Sequence, residues 1–182
     1  MNENDLINMV KDDKWMMDVL HEASKLNLPD WMIGAGFLRN KVWDKLHGIN
    51  RGVADTNDID LVYYSPEGVR ENDTLLSEKM NGILGLRWEI VNQSYTHKWH
   101  DRDVSYKNTE EALSEWVETP TCVAVTLNNG EPKIIAPHGI DDLVNLLVRP
   151  APSHRKNLDL FYNRIESKNW LKKWPKLRVV ID

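Results

Sequence analysis

The chain has one cysteine, Cys122, so no intrachain disulfide can staple it. Cys122 falls in the apolar run Cys122-Val123-Ala124-Val125, where a buried strand residue is expected. Long hydrophobic runs are missing too. No stretch approaches the roughly 18 apolar residues of a membrane-crossing helix. Met1 to Lys14 is acidic and polar, with no basic start leading into an apolar segment, which predicts no signal peptide and a cytoplasmic location. An excess of basic residues is also absent, since the net charge is −5. A protein that lives on nucleic acid usually carries a basic face. A long polynucleotide partner is therefore disfavoured, although a local basic patch can still hold one nucleotide. Internal repeats and low-complexity segments are lacking as well.

What is present suits one domain spanning residues 1–182. Hydrophobic residues make up 41% and charged residues 28%, which is ordinary globular usage. Eight tryptophans is a high count at this length, and they are expected as core or cleft-wall residues.

The apolar spacing of Leu6, Val10, Trp15, Val19, Ala23 and Leu26 predicts helix from Asp5 to Leu26, with a break at Asp12-Asp13. Trp31 to Ile33 is a short strand candidate. It runs into the small residues Gly34-Ala35-Gly36 and then a helix from Phe37 to Leu46. Ile59 to Tyr64 is rich in β-branched and aromatic residues and predicts a strand. Helix is expected over Glu71–Leu84, strand over Arg87–Val91, and a short helix capped by Asn108, with Glu111 completing a capping box, to about Trp116. Asn129-Gly130 predicts a two-residue hairpin turn between strands at Thr121–Leu127 and Lys133–Ala136. Helices are expected over Ile140–Val148 and Ser153–Ser167, and an edge strand over Leu177–Ile181. The sum is an α+β or mixed α/β domain: a mixed sheet with helices packed on it and a late β-hairpin.

The chemistry concentrates in Gly34-Ala35-Gly36, Arg39 and Asn57-Asp58-Ile59-Asp60. A strand that ends in small residues and opens a helix gathers bare backbone N–H groups, which attract phosphate with the help of the helix dipole. Asp58 and Asp60 are two apart on a predicted strand, so both carboxylates face one way. Their Cα atoms are then about 6.6 Å apart, close enough to share divalent cations. Unpaired aspartates on an apolar strand are costly without a compensating cation or donor. Glu89, between Trp88 and Ile90 on a second strand, is the candidate third carboxylate. Hard oxygen ligands of this kind favour Mg²⁺ or Mn²⁺.

Several of these residues carry plainer readings. Gly34 and Gly36 also suit a tight turn, and Arg39 can pair with phosphate or with a strand carboxylate. Asn92, Gln93 and His97 follow the Glu89 strand; they either line the cleft and read a base or sugar, or cap a turn. His97, His100, Asp101 and Asp103 suggest zinc only weakly, since no cysteine joins them. Asp141 and Asp142 suit a helix start, while Arg149, Arg155 and Lys156 suit a solvated basic patch. Trp170 and Trp174 are expected to pack.

The run Gly34-Ala35-Gly36-Phe37-Leu38-Arg39-Asn40, followed by Asp58-Ile59-Asp60, resembles the signature of the polymerase-β-like nucleotidyltransferases, most closely in its CCA-adding form. Ala35 replaces the first glycine of that pattern and Asn40 its aspartate, and the connection from Arg39 to Asp58 is longer. Nearly the whole chain resembles an uncharacterised bacterial nucleotidyltransferase-like family. The matching stretches are Ile33–Asp44, Asn57–Asp60, Trp88–Gln93 with His97, and Gly139–Leu143 with Arg149-Pro150.

The resemblance implies a metal-dependent transfer of a nucleoside monophosphate from an NTP to a hydroxyl or phosphate acceptor; the acidic net charge favours a small acceptor over a long nucleic acid. It implies Asp58, Asp60 and Glu89 as metal-binding catalytic carboxylates. Gly34, Ala35, Gly36, Phe37, Arg39, Asn92, Gln93 and His97 are the expected nucleotide-binding residues. The alternative is a catalytically inactive nucleotide-binding module of the same fold, which Glu89 pointing away from Asp58 and Asp60 would favour.

Overall fold

The computed structural model of the chain describes residues 1–56, 58–100 and 102–181. Asn57, Asp101 and the side chain of His100, all named above, lie outside what is described. The expected α+β architecture is present. Five strands form one sheet in the order β3-β2-β1-β4-β5. These are β1 (Met32–Ile33), β2 (Ile59–Tyr63), β3 (Trp88–Asn92), β4 (Ala124–Asn128) and β5 (Glu131–Ile135). Within this sheet β2 and β3 run parallel, and β1 pairs antiparallel with both β2 and β4. The β4–β5 hairpin turns at Asn129 and Gly130, both at positive φ as that dipeptide predicts.

The expected first helix is two, α1 (Glu3–Asp12) and α2 (Lys14–Ser24). Asp13 makes the break: it ends α1, and its side chain accepts the Met16 N–H at 3.1 Å to cap α2. α3 (Gly36–His47) follows β1, and α4 (Arg70–Met80) links β2 to β3. α5 (Thr109–Ser114) starts at Asn108, whose side chain accepts the Glu111 N–H at 2.8 Å. The Glu111 carboxylate reaches back to Lys107 N–H instead of the cap residue, so the expected box is displaced by one position.

The C-terminal third departs most from expectation. Helix α6 covers only Asp141–Val144, and the rest of the expected segment becomes β6 (Leu147–Val148). β6 pairs in parallel with β7 (Arg178–Val179), so the last strand joins a separate two-stranded sheet rather than the edge of the main one. The long helix expected from Ser153 is a 3-10 turn at Pro152–His154 and then α7 (Asp159–Ser167), with α8 (Trp170–Lys173) after it.

Alternation along the strands divides the interior in two. Ile33, Ile59, Leu61, Trp88, Ile90, Val123 and Val125 face the main core with α1, α2 and α3. Met32, Val62, Cys122, Ala124 and Ile135 face a smaller core closed by Leu113 and Ala151. Asp60 shares the face of Val62, so its carboxylate emerges beside this smaller core. No described helix is long and apolar enough to cross a membrane.

Candidate active site

The site starts where β1 gives way to α3. The Gly34 N–H donates to the Asp60 carbonyl at 3.0 Å, which fastens the turn to β2. Ala35 then takes φ 52° and ψ −125°, a conformation that glycine enters more easily. Gly36 opens α3 with no side chain capping the helix start. That leaves N-terminal N–H groups and the positive end of the helix dipole facing a cleft of about 370 Å³. A Cβ at Gly36 would sit 2.9 Å from both Asn40 Nδ2 and Thr56 Oγ1, so glycine here lets Thr56 cross the turn this closely.

Asp58, Asp60 and Glu89 all line the cleft. Asp60 stands opposite Glu89 in the parallel β2–β3 register, so the two side chains share a sheet face. Asp58 lies in the bend just before β2. Burial pushes the Asp60 carboxyl up to about 7, and the negative charges of Asp58 and Glu89 push the same way; Arg39 and Lys168 oppose them weakly. Among the described residues no three His, Cys, Asp or Glu side chains already converge on a common point as a metal cage. These three are nevertheless the residues of the cleft that could hold a divalent ion. They are hard oxygen donors in one cleft, and their mutual repulsion on Asp60 is what a cation relieves.

Arg39 is buried in the cleft wall. Its Nη1 donates to Thr121 Oγ1 at 2.7 Å and its Nε to Asn40 Oδ1 at 3.0 Å. The guanidinium lies 4.5 Å from the Trp170 ring centroid and 5.2 Å from that of Trp43. No ion pair joins it to a described carboxylate. Burial lowers its pKa to about 10 against the raising effect of Glu118. Asn40 donates Nδ2 to the Asp55 carbonyl at 2.5 Å, so this residue holds the loop that carries Asp58.

The opposite wall comes from residues the sequence did not single out. Arg164 lines the cleft from α7, Lys173 from α8 and Lys168 from the C-cap of α7 between them. Glu118 is fully buried; its Oε1 accepts from Arg164 Nε at 2.7 Å and its Oε2 from Thr121 Oγ1 at 2.8 Å. Lys173 pairs with Asp55 at 3.3 Å, and Arg51 pairs with the same carboxylate at 2.7 Å. The i, i+4 spacing of Arg164 and Lys168 marked one basic helix face in the sequence. Nothing there said which face would meet the carboxylates.

Some expected residues are not brought to the cleft. Gly34 and Phe37 do not line it: Phe37 is core, and its N–H is turned to the Gly34 carbonyl at 3.3 Å. Asn92, Gln93 and His97 lie at and beyond the far end of β3. Glu89 is near the strand start, three residues or about 10 Å of strand from Asn92. Each is engaged locally. Asn92 Oδ1 accepts from the N–H groups of Ser65 and Ser94, Gln93 donates to Val91 O, and His97 Nδ1 meets Ser94 O at 3.0 Å. Asp142 binds Arg149 and Thr119 through one oxygen, an anchoring role away from the cleft.

A mixed sheet of this order, with a glycine turn into a helix beside carboxylates on the neighbouring strand, defines a polymerase-β-like nucleotidyltransferase fold. The chain belongs to a nucleotidyltransferase family, whose model, described as "Nucleotidyltransferase", matches residues 21–179. No curated protein matches it. Among solved structures it is similar to a protein whose NMR structure "reveals a CCA-adding enzyme head domain", at 28% identity and TM-score 0.87, covering 100% of this chain and 97% of that one. It is also similar in fold to a CCA-adding enzyme in complex with CTP, at 18% identity and TM-score 0.58, covering 99% of this chain and 43% of the other. A third likeness is the Thermotoga maritima CCA-adding enzyme complexed with tRNA, at 18% identity and TM-score 0.57, covering 99% of this chain and 42% of that one. The chain thus spans about two fifths of the length of these two enzymes.

Proposed function

We propose that the protein transfers a nucleoside monophosphate from an NTP to a hydroxyl or phosphate acceptor and releases pyrophosphate. The observation that carries this reading is the register pair Asp60–Glu89, which with Asp58 faces the open N-terminus of α3 across one cleft. Asp58, Asp60 and Glu89 would hold Mg²⁺ or Mn²⁺, which when bound neutralises the triphosphate and supports charge on the attacking and leaving oxygens. The N–H groups at Gly36 receive the β and γ phosphates. The acceptor oxygen bonds to the α-phosphorus as the bond to the bridging oxygen breaks, and Glu89, exposed at the cleft, takes the acceptor proton. Arg39, Arg164, Lys168 and Lys173 supply positive charge around the phosphates.

The net charge of −5 supports a small acceptor over a long nucleic acid. The rival reading, a nucleotide-binding module without chemistry, needs Glu89 turned away from Asp60, and their shared face argues against it. The test is a panel of labelled NTPs and acceptors with Mg²⁺ or Mn²⁺, run on the native protein and on Asp58→Asn/Asp60→Asn. The double variant is expected to lose pyrophosphate release by a factor of about 10² or more while staying folded. Undiminished turnover in that variant would overturn the assignment; nucleotide binding without turnover in the native protein would favour the binding module.

A further inference from the structure

Three tryptophans line the cleft: Trp116, Trp170 and Trp174. Two have no free ring surface. Trp170 is 2% and Trp174 1% exposed; both pack edge-on against Trp43, and Trp170 also carries the Arg39 guanidinium. Trp116 differs. It is half-buried, lies just past α5, and has no aromatic or cationic partner among the described residues. Its indole N–H likewise has no described acceptor.

Its seat is specific. A Cβ at Gly34 would lie 2.7 Å from Trp116 Cη2 and 2.8 Å from Cζ3, closer than real side chains approach. Gly34 itself does not line the cleft, so the glycine here serves to admit the tip of the indole beside the turn that opens α3. The rest of the lining is dominated by charge: Asp55, Asp58, Asp60 and Glu89 against Arg39, Arg164, Lys168 and Lys173. Charge suits phosphates and cations but offers a nucleobase nothing apolar to lie on. Trp116, packed on one side against the smaller core, is with Ala35 and Val117 the partly exposed apolar part of the lining, and it alone of these offers an aromatic ring.

We propose that Trp116 is the platform on which the nucleobase of the bound NTP stacks. The inference rests on the reading that the cleft binds an NTP, and adds a specificity consequence. Every base has a π face, so stacking discriminates little between bases. The four NTPs should therefore bind within a few-fold of one another unless the acceptor adds base readout.

Calorimetric titration in Mg²⁺ with two probes, a non-hydrolysable α,β-methylene ATP analogue and inorganic tripolyphosphate, tests this. Base–aromatic stacking corresponds to roughly a 5- to 150-fold loss of affinity on removing the ring. Trp116→Leu, which keeps an apolar group against Gly34, should weaken the analogue by at least about fivefold and leave tripolyphosphate unchanged. Trp116→Phe should restore most of the analogue affinity. Equal analogue affinity in Trp116→Leu and native protein would overturn the platform while leaving the nucleotidyltransferase reading intact. Parallel weakening of both probes would also overturn it, since the ring would then act through the phosphate site. A native protein that binds neither probe would remove the functional reading and the platform with it.

Discussion

Asp60→Asn should make the metal-free protein more stable, and the gain should depend on pH. In the folded chain the Asp60 carboxyl has been pushed from 3.8 up to about 7, first by burial and then by Asp58 and Glu89. Between those values the folded state holds a proton that the unfolded chain has released, so stability falls as pH rises through the window and levels off above about 7. The shifted Asp60 carboxyl then costs about 4 kcal/mol at pH 8, where the fold holds it ionised, and about 2 kcal/mol at pH 5, where the fold takes up a proton that the unfolded chain lacks, from 1.36 kcal/mol per unit. Asparagine keeps the shape and removes the charge. Urea denaturation in excess chelator should place Asp60→Asn above the native protein by a few kcal/mol at pH 8, with the gap narrowing on acidification. Added Mg²⁺ should raise the native protein and narrow the gap at pH 8, because a cation relieves the same repulsion. No gain at pH 8, or a gain that does not shrink by pH 5, would refute the electrostatic account of the three carboxylates.

Two further outcomes test the framework around the site. Ala35→Gly should raise stability by about 1 kcal/mol in the same denaturation assay, since Ala35 holds a positive φ that glycine adopts without strain. Glu118→Ala should cost about 3 kcal/mol, near the lower end for a broken buried pair because the Arg164 side chain is 33% exposed; the same variant should weaken tripolyphosphate binding as Arg164 loses its anchor.

The parts of the site that were legible in the sequence are those fixed over a few residues. The small residues after β1, the Asn129-Gly130 turn and the Asn108 cap each depend on local backbone geometry, and each formed as expected; Asp60 lies on β2 as expected, while Asp58 lies in the bend just before it. Glu89 was legible because a parallel neighbour strand in register keeps alternation in phase with β2. Asn92, Gln93 and His97 were misjudged from the same strand. Adjacency along the chain carried them away from Glu89 to the opposite end of the sheet.

The sequence by itself thus determined a glycine turn, an acidic strand and the fold class they belong to, since propensity and periodicity act at short range. Tertiary structure alone decided what faces them. Arg164, Lys168 and Lys173 lie more than a hundred residues from Asp58 and Asp60, and only packing of α7 and α8 over the cleft aims their charges at it. The short β6–β7 pair also escaped the pattern, because two-residue strands have no period to read. Trp116 among eight tryptophans is the clearest case: all eight look alike in the sequence, and burial of its neighbours singles it out.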